Sequence, residues 1–173
     1  EIFASRCRKK ICNDKITGEE WLDVHEIAHE VGLKSNATML YGHLETIEER
    51  VDHLVRLREL QDRTGGFVTF IPLSFHPENT PLDFLPSTSG QLDLRALAVS
   101  RLMLDNFPHV KAFWIMITPK IAQMSLGMGT DDMDGTVVEE KIIHAAGAAT
   151  DQIFHRQTIV DMIREAGRIP MER

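Results

Sequence analysis

The stretch from Ser35 to Val55, SNATMLYGHLETIEERVDHLV, turns from a short apolar run into a charged segment with helical spacing, with Gly42, His43 and Glu45 at the change. If the run is a buried parallel strand, these residues sit at its C-terminal end, where α/β folds bind ligands. A glycine there lets a ligand approach the backbone, because no side chain is in the way. His43 can donate or accept a hydrogen bond, and Glu45 stands at the mouth, just before a Thr46 cap. A plain turn would use the same residue types: a turn glycine, an exposed histidine and an acid favoured by the helix dipole. Chemistry alone leaves both readings open.

Other candidates follow along the chain. Asn36 and Thr38 alternate with Ala37 and Met39, and a polar pair on one face of a strand reads either as a wet cavity lining or as hydrogen bonding within the core. The proline-rich segment SFHPENTPLDFLPSTSG carries His76, Glu78 and Asn79. His76 could hold a carboxylate or move a proton, fixed in place by Pro72 and Pro77; a structural His–Pro turn is the alternative. Arg6 could grip a carboxylate through its guanidinium fork, or belong with Arg8, Lys9 and Lys10 to a solvated basic turn. His25 and His29 are spaced i,i+4, but no HExxH or third ligand accompanies them, so they and His53 read as solvated or partly packed helix histidines. GTDDMDGT lacks the spacing of an EF-hand. Cys7 and Cys12 cannot alone fill a metal site and read as free thiols. Met116, Met124 and Met128 read as core filling.

The elements that must position these residues form a repeating pattern. Thr17 with Glu20, and Thr46 with Glu49, have capping-box spacing and predict two helices. The first has a stripe of Trp21, Val24, Ala28 and Val31 and a stop at Gly32; the second turns Ile47, Val51, Leu54 and Val55 inward and ends near RTGG. A third helix through LDLRALAVSRLMLDNFP stops at Pro108. Between them lie the apolar strands SNATMLYG, FVTFIPLSF and VKAFWIMIT, while EIFASR reads as the tail of a strand already under way, which suits a truncated N-terminus. A Gly- and Asp-rich turn then leads into a helix, and TIVDMIREAGRIPMER closes the chain as an amphipathic helix and tail. Continuous apolar strands alternating with helices predict an α/β fold with a parallel sheet. The repeat suits βα units of a barrel, although a doubly wound sheet is an alternative; no GxGxxG or GxxxxGK[ST] supports a nucleotide fold. A whole eight-unit barrel takes about 250 residues, so a chain of 173 holds half of one, a single partial domain over residues 1–173. Open sheet edges would invite self-association.

Bulk properties narrow the class. A formal charge of −7 argues against a nucleic-acid or anionic-membrane surface. No apolar run approaches the roughly 20 residues of a membrane span and no signal peptide is visible, which predicts a cytoplasmic location.

The segments EIFASRCRKKIC, SNATMLYGHLET, FIPLSFHPENTPL and DGTVVEEKIIHAAGA together resemble the C-terminal half of aminofutalosine synthases, radical S-adenosylmethionine (SAM) enzymes of the futalosine route to menaquinone. MLYGHLE also resembles the GxIxGxxE strand of the wider radical SAM class, which lies beside the adenine of SAM. The resemblance implies a partial TIM-like barrel in which a 5′-deoxyadenosyl radical adds to 3-(1-carboxyvinyloxy)benzoate to give 6-amino-6-deoxyfutalosine. It implies SAM and a 4Fe–4S cluster as cofactors, the cluster reduced by an electron donor. The CxxxCxxC motif that holds such a cluster is absent here and is expected in a missing N-terminal half. By the same resemblance Glu1 would bind the SAM ribose, with Ser5, Arg6, Thr38, Gly42 and Glu45 on the cofactor side. Asn36, His76, Glu78, Asn79 and Thr136 would lie on the substrate side, with His76 catalytic and Gly135, Thr136 and Glu140 closing the cavity. The dehypoxanthine futalosine cyclases and the deazaflavin-cofactor synthases share the general pattern. A non-catalytic binding or scaffold module is the reading of another class.

Overall fold

The computed structural model describes residues 2–136 and 155–172; Glu1, Glu140 and the helix expected after Thr136 lie outside the described residues. Four strands, β1 (Ser35–Tyr41), β2 (Phe67–Ser74), β3 (His109–Ala112) and β4 (Asp132–Met133), form one parallel sheet in the order β1-β2-β3-β4. Spatial order equals chain order. A doubly wound sheet reverses its order at a switch point, whereas a barrel wall adds each strand beside the last. The arrangement is therefore an arc of barrel wall, and the α/β expectation holds.

Seven α-helices and one 3-10 helix (Leu126–Met128) complete the described chain, the α-helices being α1 (Ser5–Ile11), α2 (Gly18–Glu30), α3 (Ile47–Thr64), α4 (Gly90–Met103), α5 (Trp114–Ile117), α6 (Pro119–Ser125) and α7 (Arg156–Glu165). Both capping boxes form as the spacing predicts, with Thr17 and Thr46 accepting from the amides of Glu20 and Glu49 and receiving their carboxylates in return. Gly65 ends α3 in the left-handed region, at φ 57°, and its amide donates to the Gln61 carbonyl.

The sheet has two unlike faces. Ala37, Met39 and Tyr41 of β1 stand beside Phe70, Pro72 and Ser74 of β2, and all six are buried, the apolar majority in the core with Leu54, Leu57, Leu60 and Leu97 of the helices. Asn36, Thr38 and Leu40 stand beside Thr69, Ile71 and Leu73 on the opposite face, where Asn36 is exposed, Thr69 is buried and the other four are half-buried. The polar alternation of β1 thus marks the inner face of the arc.

Several expectations fail in an informative way. In α2 the inward side is Trp21, His25 and His29, packed on Phe67, while Val24 and Val31 face outward at 58% and 71% exposure. Serine and threonine partners explain it: His25 and His29 both meet Ser35 Oγ at 2.8 Å and His29 meets Thr64 Oγ1, so the rings bury without leaving polar atoms stranded. In α3 the buried side is His53, Leu54, Leu57, Leu60 and Gln61, and Ile47, Val51 and Val55 are exposed. Three leucines outweigh the alternative stripe, at about 2 kcal/mol for each buried side chain.

The run VKAFWIMIT does not make one strand. β3 stops at Ala112, and the next residues turn into α5, because apolar content does not distinguish a strand from a buried helical turn. Thr118, at φ 74° and followed by Pro119, separates α5 from α6. β4, in turn, falls within a segment expected to be a turn. The α4 helix starts from a Ser89 cap and ends at Met103, well short of Pro108. Ile2–Ala4 are not in a strand, although Ile2 and Phe3 are buried. Met124 and Met128 are exposed at the surface, and only Met116 packs on the core.

Candidate functional site at the strand ends

The C-terminal ends of β1 and β2 come together in one rim. Glu45 occupies its centre with a side chain closed from solvent. Its Oε1 accepts from the Gly42 amide at 2.6 Å and from Arg50 Nε at 2.7 Å; its Oε2 accepts from the His43 amide at 2.8 Å. The carboxylate is thus spent on its own loop and on the first turns of α3. His43 Nδ1 accepts from the Leu44 amide at 2.7 Å, so Nε2 carries the proton and donates to the Leu40 carbonyl at 3.1 Å. Nδ1 also lies 3.0 Å from Glu45 Oε2, but a ring whose Nδ1 already accepts has no proton to offer there. Burial lowers the His43 pKa, consistent with this neutral form.

Gly42 is required for a reason the sequence does not disclose. It sits at φ 89°, and a Cβ built on it would lie 2.2 Å from Thr88 Cγ2. The space above this glycine is filled by the protein's own proline-rich loop, not kept for a ligand. Thr88 also bonds Ser74, whose hydroxyl donates to Asp93 Oδ1 at 3.3 Å, and the Tyr41 hydroxyl donates to the same oxygen at 2.8 Å. Burial pushes the Asp93 carboxyl up and, with Asp93 beside it, the Tyr41 phenol up as well. This network pins the end of the loop and the start of α4 to the ends of β1 and β2.

The expected site residues divide into groups. Gly42, Glu45 and His76 share the rim. His76 follows β2, and its ring Nε2 meets the Met116 carbonyl of α5 at 3.0 Å. A carbonyl only accepts, so Nε2 carries a proton, and in the neutral ring Nδ1 is the acceptor. Arg6 reaches the rim from α1 with its fork already closed on Glu49, at 3.1 and 2.7 Å, and on the Leu44 carbonyl at 2.7 Å. Beside Arg6, the Glu49 carboxyl falls to about 2. Arg6 here ties α1 to the β1–α3 loop. Ser5 is exposed at the start of α1.

Others stand apart. Asn36 lies near the opposite end of β1, roughly 20 Å from Gly42 at about 3.3 Å per residue. Thr38 is half-buried in mid-strand on the same inner face. Glu78 and Asn79 are exposed in the loop, Glu78 accepting from Ser87 at 2.6 Å and Asn79 turning at φ 59°. Thr136 is exposed beyond β4.

Sequence reasoning missed a second polar group at β3 and β4. Lys111 lies 3.0 Å from Asp134 Oδ1 and 3.7 Å from Asp132 Oδ2, and the buried Trp114 indole donates to the Asp134 carbonyl at 3.2 Å. The signal was present: a lysine inside an apolar run, and two acids two residues apart.

No group of three or more His, Cys, Asp or Glu able to hold a metal occurs among the described residues. Cys7 is buried, its thiol pushed up to about 11 by burial and donating to Glu49 at 3.5 Å, which opposes the thiolate that a metal needs. It is unlike a cluster ligand. No described helix is long and apolar enough to cross a membrane.

Residues 64–173 match the family model described as the CofH/MqnC C-terminal region. The whole chain is 53% identical to an aminodeoxyfutalosine synthase of Thermus thermophilus and covers 48% of that protein. It is 40% identical to a 5-amino-6-(D-ribitylamino)uracil–L-tyrosine 4-hydroxyphenyl transferase of Methanopyrus kandleri, covering 48% of it. It is 41% identical to a cyclic dehypoxanthine futalosine synthase of Streptomyces coelicolor, covering 43% of it. The chain spans about half the length of the curated relatives it matches. A family match over more than half of the chain, on a parallel sheet that carries its polar groups at the strand ends, places this protein in the CofH/MqnC family.

Proposed function

We propose that this chain is the SAM- and substrate-binding half of an aminofutalosine synthase. The observation that carries the reading is the 53% identity to the Thermus synthase across the whole chain, against 40% and 41% for relatives named for other reactions. In the complete enzyme, SAM and a 4Fe–4S cluster held by the other half and reduced by an electron donor would supply the radical chemistry that joins an adenosyl group to 3-(1-carboxyvinyloxy)benzoate. The chain's own residues provide walls and proton-bearing groups. His76, with Nε2–H fixed on the Met116 carbonyl, offers Nδ1 to a substrate group as acceptor or base. Glu45 acts by holding the Gly42–His43 turn rigid, so that the backbone of the strand end rather than this carboxylate faces the cofactor. Asn36 and Thr38 line the inner face further down. Ser5, Glu78, Asn79 and Thr136 would line the mouth, and Glu1 would accept from the ribose of SAM.

The test uses the full-length gene product, reconstituted with iron and sulfide and supplied with SAM, reductant and 3-(1-carboxyvinyloxy)benzoate. Mass spectrometry should find the adenosyl group within the product, and the gene should encode CxxxCxxC upstream of Glu1. Release of free 5′-deoxyadenosine from SAM when dehypoxanthine futalosine is supplied, with no product from the benzoate ether, would assign the cyclase reaction instead. His76→Ala should lower product formation without reducing cluster content, and unchanged turnover would take His76 out of the site.

A further inference from the structure

The proline-rich loop that leaves β2 and returns to α4 has its two legs joined at two levels. At the base Ser74 meets Thr88, and further out the Ser87 hydroxyl donates to Glu78 at 2.6 Å. His76 lies on the outgoing leg between these two links, with Nε2 on the Met116 carbonyl. The loop leaves the C-terminal end of β2, the ligand-binding side of parallel barrels.

A side chain from outside the loop holds its base. Asp93, in the first turn of α4 and 5% exposed, accepts on Oδ1 from the Tyr41 hydroxyl at 2.8 Å and from Ser74 at 3.3 Å, and Thr88 bonds it as well. The helix does not need this carboxylate for its own start, because Ser89 already caps α4 by accepting from the Leu92 amide. Asp93 turns away from its own backbone instead, toward β1, β2 and the loop. A carboxylate only accepts, so every hydroxyl that bonds it must donate, and the rotors lose their freedom. Hydrogen bonds to a buried charge are also stronger than those between neutral groups.

We propose that Asp93 is a positioning residue: by clamping the base of the proline-rich loop it holds His76 and Glu78 in place for the substrate. The inference rests on the proposed function only for which substrate the loop meets. The experiment has two readouts, both on reconstituted full-length protein. Hydrogen exchange of the loop amides of Thr80, Asp83 and Leu85, bonded within the loop, reports the clamp with no substrate present. Steady-state kinetics with the benzoate ether at saturating SAM reports its use.

Asp93→Ala should speed exchange and raise KM by about tenfold, the worth of one hydrogen bond to a charged group. Thr88→Val keeps a methyl beside Gly42 and removes only the hydroxyl; it should move both readouts in the same direction, and it decides the matter if Asp93→Ala does not fold. Asp93→Asn still offers Oδ1 to Tyr41 and Ser74, and should restore both to within about threefold of wild type. Leu97→Ala, one turn along α4 in the core, serves as the control: it lowers stability and the amount of active enzyme but leaves KM and loop exchange alone. Unchanged exchange in Thr88→Val, an equal rise of KM in Leu97→Ala, or no rescue in folded Asp93→Asn overturns the clamp. Faster exchange in a protein that forms no aminofutalosine would keep the clamp and reject the proposed reaction; product formation with exchange and KM unmoved by the variants would do the reverse.

Discussion

At the end of β1 the Glu45 carboxylate accepts from two backbone amides and Arg50, in a side chain closed from solvent. Just past the end of β4 the Asp134 carboxylate gives one oxygen to Lys111, while the other, itself buried, meets no hydrogen-bond donor among the described residues. Both are acids at the ends of parallel strands, yet they belong to different kinds of structure. A carboxylate whose lone pairs are all used within its own loop is a brace, and rigidity is what it contributes. One with an unused buried oxygen keeps capacity for a partner. Position at the ligand side of the fold therefore does not assign a role; the hydrogen-bond inventory of each carboxylate does.

The largest effect that would separate the two is expected from Glu45→Ala. It leaves the Gly42 and His43 amides and Arg50 without their acceptor, and should cost about 3–5 kcal/mol, as for breaking a buried pair. Urea denaturation measures it; a loss under 1 kcal/mol would mean that Glu45 is not a brace. Next comes Gly42→Ala, expected to cost about 2 kcal/mol from the left-handed backbone and the Thr88 methyl together. Adding Thr88→Ser, which removes only Cγ2, should recover part of the loss. No recovery in the double mutant would place the whole cost in the backbone.

A smaller effect per unit should appear with pH. Burial holds the His53 pKa at about 3, below the ordinary value near 6.5, with the ring stacked on Phe3 at 3.9 Å. The unfolded chain takes the proton and the folded chain excludes it, so this contribution is complete above pH 6.5 and is lost as pH falls from there toward 3. The slope is about 1 kcal/mol per pH unit from this residue. His25, His29 and His43, also lowered by burial, act in the same sense, while the raised Asp93 and Asp134 act in the opposite sense above the usual carboxylate range. His53→Gln, which keeps a donor for the Thr38 carbonyl, should flatten the thermal-stability profile between pH 7 and 5; an unaltered slope would clear His53 of the effect. The smallest change in stability is expected from Asp134→Asn, within about 1 kcal/mol of wild type, because it removes no internal donor. A loss as large as that of Glu45→Ala would erase the contrast between the two acids.

The elements were legible where local chemistry decides them. Thr17 with Glu20 and Thr46 with Glu49 start helices whose boxes close within one turn, and Gly65 ends α3 through a backbone angle that glycine adopts freely. Faces were less legible. Val24, Val31, Val51 and Val55 looked inward by hydropathy, but His25, His29, His53 and Gln61 took the buried positions, because partners on other elements satisfied their polar atoms. Of the residues picked out for the site, Gly42, Glu45 and His76 follow the ends of the neighbouring strands β1 and β2, while Arg6 turned out to be committed to Glu49, 43 residues away in the chain.

By itself the sequence determined the alternation of strands and helices, the helix starts and the family motif around Gly42, since each depends on residues within a turn or two of one another. The tertiary structure decided which polar groups are already spent and which are left over. Thr88 over Gly42, Met116 on His76 and Lys111 on Asp134 are contacts across 46, 40 and 23 residues. Donors and acceptors are matched in space after the strands align side by side, so no local pattern in the chain carries that information.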